Sequence, residues 1–514
     1  MASLPSWIDP NLSEKLMVNN PIDTTTNATN ATPLNHQSAY LTRGEKQAPQ
    51  YRDAPFAILF VIHLILTIMT CMTLGGPALS AAKTPSTSGN VDSSPDHALG
   101  LFYLPLLMGV CSLIFSTITL HLLMRFSAAL IQLSLFASVS ASFFVGVVGI
   151  YAGSTIGAVF GFGMTAIGLC YAKYIWNYIP FASANLNTAC RAIRENTTGL
   201  HCVVYLLSGV GFLYGLLWSS ALLGVYYKSE ECVDSVCTYH PNGLWVLLLV
   251  FGYFWTQQVI QNTIHVSVAG TVGTWWFEPS DCISSSSPHC TFISDAVKDS
   301  FIRAITHSFG SICLGSLLVA ILQTLRALLE QIKQQALRNG NNNNNYGAML
   351  ICIADCVLAQ IEGLLEYFHK WSYVYVGLYG YTYVSSGKRV MELFQSKGWT
   401  TIINFDLVSG ALMVVNVGVG LICGLFGLLV LTIVRKGTDW FDMWGDNPEG
   451  MVFFVAFLIG IILASIMTSL ISSAVNTVIV CFAEGPGEFQ ANHPELSEEM
   501  RVAWRAAYPE ECGF

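Results

Sequence analysis

Three amide side chains and an imidazole, Gln258, Gln261, Asn262 and His265, stand inside an otherwise apolar stretch, Leu244–Phe277 (LWVLLLVFGYFWTQQVIQNTIHVSVAGTVGTWWF). His265 follows Asn262 by three positions and Gln261 by four, so the three share one face of a helix. The first half of the stretch is greasy enough to cross a membrane. Polar groups at that depth must find partners or line a wet cavity, because lipid offers no hydrogen bonds. Ser267, Ala269, Gly270 and Gly273 leave room for a second helix or a solute, and Trp275, Trp276 and Phe277 close the stretch. Two readings stand: a helix along which a solute passes, and a packing helix anchored by an interfacial tryptophan belt.

Aromatic residues give a second signal. Tyr253, Phe254 and Trp255 lie in the same stretch, and Tyr373, Tyr375, Tyr379, Tyr381 and Tyr383 crowd into WSYVYVGLYGYTYVSSGKR. Aromatic faces attract cations, and a quaternary ammonium can be held by rings alone because it has no proton to donate. On this reasoning Trp255 and Tyr253 would contact an ammonium group, with Gln258, Asn262 and His265 taking a hydroxyl or lining the path. The tyrosine cluster by itself reads first as an interfacial belt.

Other polar residues carry less. His63, His121, His307 beside Arg303, Asp406 and Asn416 fall in or near apolar runs, where a single histidine is usually a satisfied packing residue. Glu362 and Glu366 are one helical turn apart, with Asp355 earlier on the helix, which suits either a cation or a hydrated helix edge. The chain has no phosphate-binding glycine loop, no HExxH, no GxSxG and no zinc-spaced Cys/His cluster. No catalytic residue, metal site or cofactor is implied. Without a nucleotide site, the open classes are a secondary or facilitative carrier and a channel.

The elements that must position these residues are membrane helices. The 514 residues are 53% hydrophobic and 11% charged, with mean hydropathy +0.53, against roughly 25% charged in soluble domains. The fold class is therefore an all-α polytopic membrane protein. Nine apolar runs of about 20 residues or more are evident: 55–76, 101–123, 128–150, 153–171, 200–227, 244–277, 301–325, 407–434 and 451–482. One more comes from 347–384, which breaks into two short or polar-interrupted pieces. About ten spans put both termini on one side, and Arg43, Lys46 and Arg52 before the first run place that side in the cytosol. The same parity puts Arg326, Lys333 and Arg338 outside, against the positive-inside tendency.

Residues 1–50 read as a disordered cytosolic tail, rich in Asn and Thr, and the sequons at Asn11, Asn27 and Asn30 would then be unused. Residues 51–484 form the membrane domain, and 485–514 a cytosolic tail. The fifteen cysteines lie mostly in apolar runs. Cys232 and Cys237 share a loop and could pair if it faces outside; Cys282 and Cys290 share a loop expected inside and reduced. No basic run suits nucleic acid.

FWTQQVIQNTIHVSVAGTVGTWWF (254–277), SFIRAITHSFGSICLGSLLVAILQTLR (300–326), YVYVGLYGYTYVSSGKRVMELF (373–394) and VNTVIVCFAEGP (475–486) resemble the choline transporter-like family, solute carrier family 44. IPFASANL (179–186) fits that family's cytosolic segment after its fourth span. The likeness runs from about Tyr51 to the C-terminal tail and is nearer the fungal and protist branch: the segment after the first span is short, and WSYVYVGLYGYTYVSS replaces the commoner RNAYIMIAIYGKNFC pattern. The resemblance implies a ten-span carrier with cytosolic termini, in the plasma membrane, moving choline, ethanolamine or a related small organic cation without ATP. A membrane scaffold or sensor that moves nothing is the competing reading. Oligomeric state is not legible.

Overall fold

The structure is a computed structural model, and it describes residues 44–77, 96–233, 236–239, 242–278, 294–338, 345–399, 407–434 and 448–509. The N-terminal 43 residues with their three sequons, Asp406, Cys282 and Cys290 lie outside the described residues.

The described residues are helical almost throughout. In order come α1 (Ala54–Thr70, prolonged by one π-helical turn, Cys71–Gly75), α2 (Asp96–Arg125), α3 (Ser127–Tyr151), α4 (Thr155–Ile175), α5 (Ile179–Glu195) and α6 (Thr197–Lys228). A two-strand hairpin, β1 (Glu230–Val233) and β2 (Val236–Tyr239), sets Cys232 opposite Cys237 in register. Then follow α7 (Gly243–Phe277), α8 (Asp295–Ile305), α9 (Phe309–Arg338), α10 (Asn345–Tyr379), α11 (Tyr383–Ser396), α12 (Leu407–Val434), α13 (Pro448–Glu484), α14 (Pro486–Asn492) and α15 (Pro494–Ala507). Nine segments among the described residues are long and apolar enough to cross a membrane. α10 is the tenth long helix. Its 35 residues span about 52 Å at 1.5 Å per residue, more than a hydrocarbon core of about 30 Å.

Two sequence expectations are corrected here. The apolar pieces within 347–384 are one continuous helix that ends at Gly380, whose φ of 77° is the left-handed stop that glycine accepts freely. The run 301–325 is two elements, because the chain breaks at Thr306–Ser308 between α8 and α9. Arg303 therefore sits on a short amphipathic helix, and His307 lies in the break, stacked on Tyr51 with ring centroids 5.3 Å apart.

Direction follows from the contacts. Gln261 of α7 reaches Ser465 of α13, and Trp276 reaches Gly485, so these two helices run the same way. His265 lies beside Tyr373, and Gly273 against Leu378, so α10 runs with them. α9 runs opposite, with Gly315 against Tyr373 and Arg326 paired with Glu362. α12 is antiparallel to α13, with Gly420 against Ile461 and Gly427 against Ala456. The last turn of α9 and the first turn of α10 therefore stand at the end of the bundle opposite to where α7, α10 and α13 finish.

Where those three helices finish, the amphipathic helices α5, α8 and α11 and the terminal pair α14 and α15 form a cap. Trp504 of α15 is fully buried against Phe181, Trp399 and Phe482, and its indole N–H donates to Asn185 Oδ1 at 2.9 Å. The α3–α4 hairpin, by contrast, is closed by glycines. A Cβ on Gly149 or Gly161 would fall 2.4 Å and 2.2 Å from the partner backbone. Backbones can approach that closely only where no side chain intervenes.

Candidate functional site

Three helices each turn one polar stripe toward the same space. On α7 the stripe is Gln258, Gln261, Asn262 and His265; on α10 it is Gly363, Glu366, Tyr367 and Lys370; on α13 it is Ser469, Ser472, Ser473 and Asn476. Each set recurs at i, i+3, i+4, i+7, the spacing of one helical face. With His369, Ser409 of α12 and Val319 of α9 they line a cavity of about 480 Å³, within the range of small-molecule sites. It lies midway along the helices, where polar groups persist only if they are paired or wet.

Part of this wall is internally paired. Gln261 Nε2 donates to Ser465 Oγ at 3.2 Å and Asn262 Nδ2 to Ser316 Oγ at 3.0 Å. Two imidazoles are not: His265 and His369, each 8% exposed, have Nε2 atoms without a hydrogen-bond partner among the described residues. They flank one tyrosine. The Tyr373 ring is 5.9 Å from His265 and 4.3 Å from His369, and its hydroxyl donates to the Ile312 carbonyl at 2.9 Å. His369 Nδ1 meets the Tyr383 hydroxyl at 3.3 Å. A buried polar nitrogen with no partner costs about 1–3 kcal/mol.

The structure thus brings Gln258, Asn262 and His265 together, and does not bring Trp255 or Tyr253 to the same cavity. Trp255 is 2% exposed; its indole N–H donates to the Cys313 carbonyl at 3.1 Å, and its ring lies against Phe60 and His63. Tyr253 is half-buried against Trp218, centroid to centroid 4.8 Å. The other single histidines also have local partners. His63 Nε2 lies 3.3 Å from Thr256 Oγ1 and 3.4 Å from the Tyr214 hydroxyl, and exposed His121 meets the Thr117 carbonyl at 2.9 Å. Asn416 accepts from Thr468 at 3.0 Å.

The five tyrosines of 373–383 are all buried, so they form no interfacial belt. They divide instead. Tyr373 and Tyr383 back the two histidines, while Tyr375 and Tyr379 both donate their hydroxyls to the buried carboxylate of Glu484 at the capped end. Sequence reasoning missed Glu484, Lys370, His369 and the whole α13 stripe. The repeated 3–4 spacing of Ser469, Ser472, Ser473 and Asn476 was the available signal.

The described residues form a polytopic helical bundle with a polar cavity midway along its helices. Sequence comparison gives the family. The family model described as plasma-membrane choline transporter matches residues 159–487, and the chain belongs to this choline transporter-like family. Among relatives, Protein PNS1 of Mycosarcoma maydis is 26% identical over 88% of this chain and 83% of its own length. Protein PNS1 of Gibberella zeae is 27% identical over 65% of this chain, and the match spans 60% of that protein. A CTL-like protein of Dictyostelium discoideum is 26% identical over 74% of this chain and 64% of its own length.

Proposed function

We propose that the protein is a secondary or facilitative carrier whose central cavity takes choline or a related small amine. The observation that carries this reading is the convergence of three polar helix faces on one mid-membrane cavity in a chain of this family. Glu366 and the Tyr367 ring offer a negative charge and a π face to an ammonium group. Gln258, Asn262 and His265 supply a hydrogen-bonding wall for a hydroxyl. Trp255 and Tyr253 act behind that wall, fixing α7 against α1, α6 and α9 rather than touching solute. The capped end faces the cytosol, and the plasma membrane is the expected location.

The test uses full-length protein in detergent and in vesicles. Choline or ethanolamine should raise the unfolding temperature and enter vesicles saturably. Gly363→Leu should abolish both effects, because Gly363 lines the cavity and a side chain there meets nothing within 4 Å. Lack of stabilisation and flux for every small amine tried would remove the reading.

A further inference from the structure

Between the cavity and the capped end the bundle is dry. Thr271 and Val272 of α7, Val374 of α10, and Thr477, Val478 and Cys481 of α13 are all fully buried. His265 and Trp276 stand about 16 Å apart along the helix axis, so the closed layer is several turns thick. Its far side is tied by polar bonds between the helices that line the cavity. The Tyr375 and Tyr379 hydroxyls of α10 donate to the Glu484 carboxylate at the end of α13. The Trp276 indole of α7 donates to the Gly485 carbonyl at 3.1 Å. The C-terminal segment then locks that junction: Phe489 stacks on Trp276 at 3.8 Å and 9°, and Asn492 Nδ2 donates to the Trp276 carbonyl at 3.0 Å.

We infer that Glu484 with Tyr375 and Tyr379 is the gate on the capped side of the cavity, latched by the C-terminal segment. This rests on reading the cavity as a transport site. The chemistry suits a gate rather than a permanent weld. Apolar packing between α10 and α13 would hold equally well without a carboxylate, and a buried carboxylate is costly to desolvate. What it adds is a directional, charge-assisted bond that is lost once the helices separate and water reaches Glu484. Glycines stand where such a motion must bend the chain, at Gly380 (φ 77°) after α10 and Gly485 after α13.

Cys481, one turn before Glu484 and fully buried, is a native reporter. Maleimide labelling of the full-length protein, mapped by peptide mass spectrometry, should find Cys481 protected. In the double variant Tyr375→Phe/Tyr379→Phe the labelling rate of Cys481 should rise roughly 10- to 100-fold, the worth of hydrogen bonds to a charged group. Glu484→Gln, which keeps the shape and removes the charge, should shift it the same way by less. Buried Cys423 of α12 lies away from this junction and should stay protected throughout. Continued protection of Cys481 in both variants overturns the gate, as does a parallel rise at Cys423, which would mean a loosened bundle. The readout needs no substrate, so it stands or falls apart from amine flux.

Discussion

At the scale of single residues, two glycines of α10 argue opposite outcomes for similar substitutions. Gly363 faces open cavity, whereas a Cβ on Gly377 would lie 2.6 Å from Ala269 Cβ and 2.7 Å from the Val266 carbonyl. Gly377→Ala should therefore destabilise by about 1–3 kcal/mol through overpacking. Gly363→Ala should gain up to about 1 kcal/mol from helix propensity alone. Thermal unfolding of the two purified variants checks the sign directly. Trp255→Ala is a third case. It removes a buried indole and orphans nothing charged, so its expected effect is about 3–5 kcal/mol of stability. Trp255→Phe, which restores most of the packing, should recover folding and leave amine binding intact. Loss of binding in a Trp255→Phe protein of near-normal melting temperature would return Trp255 to the cavity wall.

The element scale shows what was legible in the sequence and what was not. The stripe on α7 could be read directly, because three amides and a histidine in an apolar run are conspicuous and their 3–4 spacing is arithmetic. The aromatic partners could not, because an indole on the neighbouring turn points wherever its helix is rotated, and rotation is set by α1 and α9 packing. The α13 stripe was hidden for a different reason: serines are small, and a helix carrying four of them keeps the hydropathy of a span. By the same logic run backwards, α10 reads in the sequence as two pieces, since Glu362, Glu366, His369 and Lys370 depress its hydropathy where it borders the cavity. α5 and α15 passed as polar segments because their helices are amphipathic and bury only one side. That burial carries an expectation. Trp504→Ala removes the ring that Phe181, Trp399 and Phe482 enclose. It should release α15 first, at a cost of about 3–5 kcal/mol. Limited proteolysis should then cut within 494–507 before any other described segment, and a cut elsewhere first would show that the cap is not held by this ring.

On the scale of the whole molecule, the proposed cytosolic cap is supported by the distribution of charge as well as by the first span. Arg125, Lys173, Arg191, Arg194, Lys298, Arg303, Lys388, Arg389 and Lys397 all belong to helix ends or amphipathic helices at the capped end. Among the described residues the opposite end has Lys228, Arg326 and Lys333. Arg326, whose charge runs against the parity of the spans, is paired with Glu362 of α10. Neutralised in that way, it says little about sidedness, and the count favours a cytosolic cap. Two cysteine substitutions test this at solvent-accessible positions, exposed Arg505→Cys at the cap and half-exposed Lys333→Cys at the other end. In intact cells an impermeant maleimide should tag the Lys333 site and leave the Arg505 site unmodified until the membrane is permeabilised. The reverse pattern would invert the orientation and move the Glu484 gate to the outer side. The gate's chemistry would be unchanged.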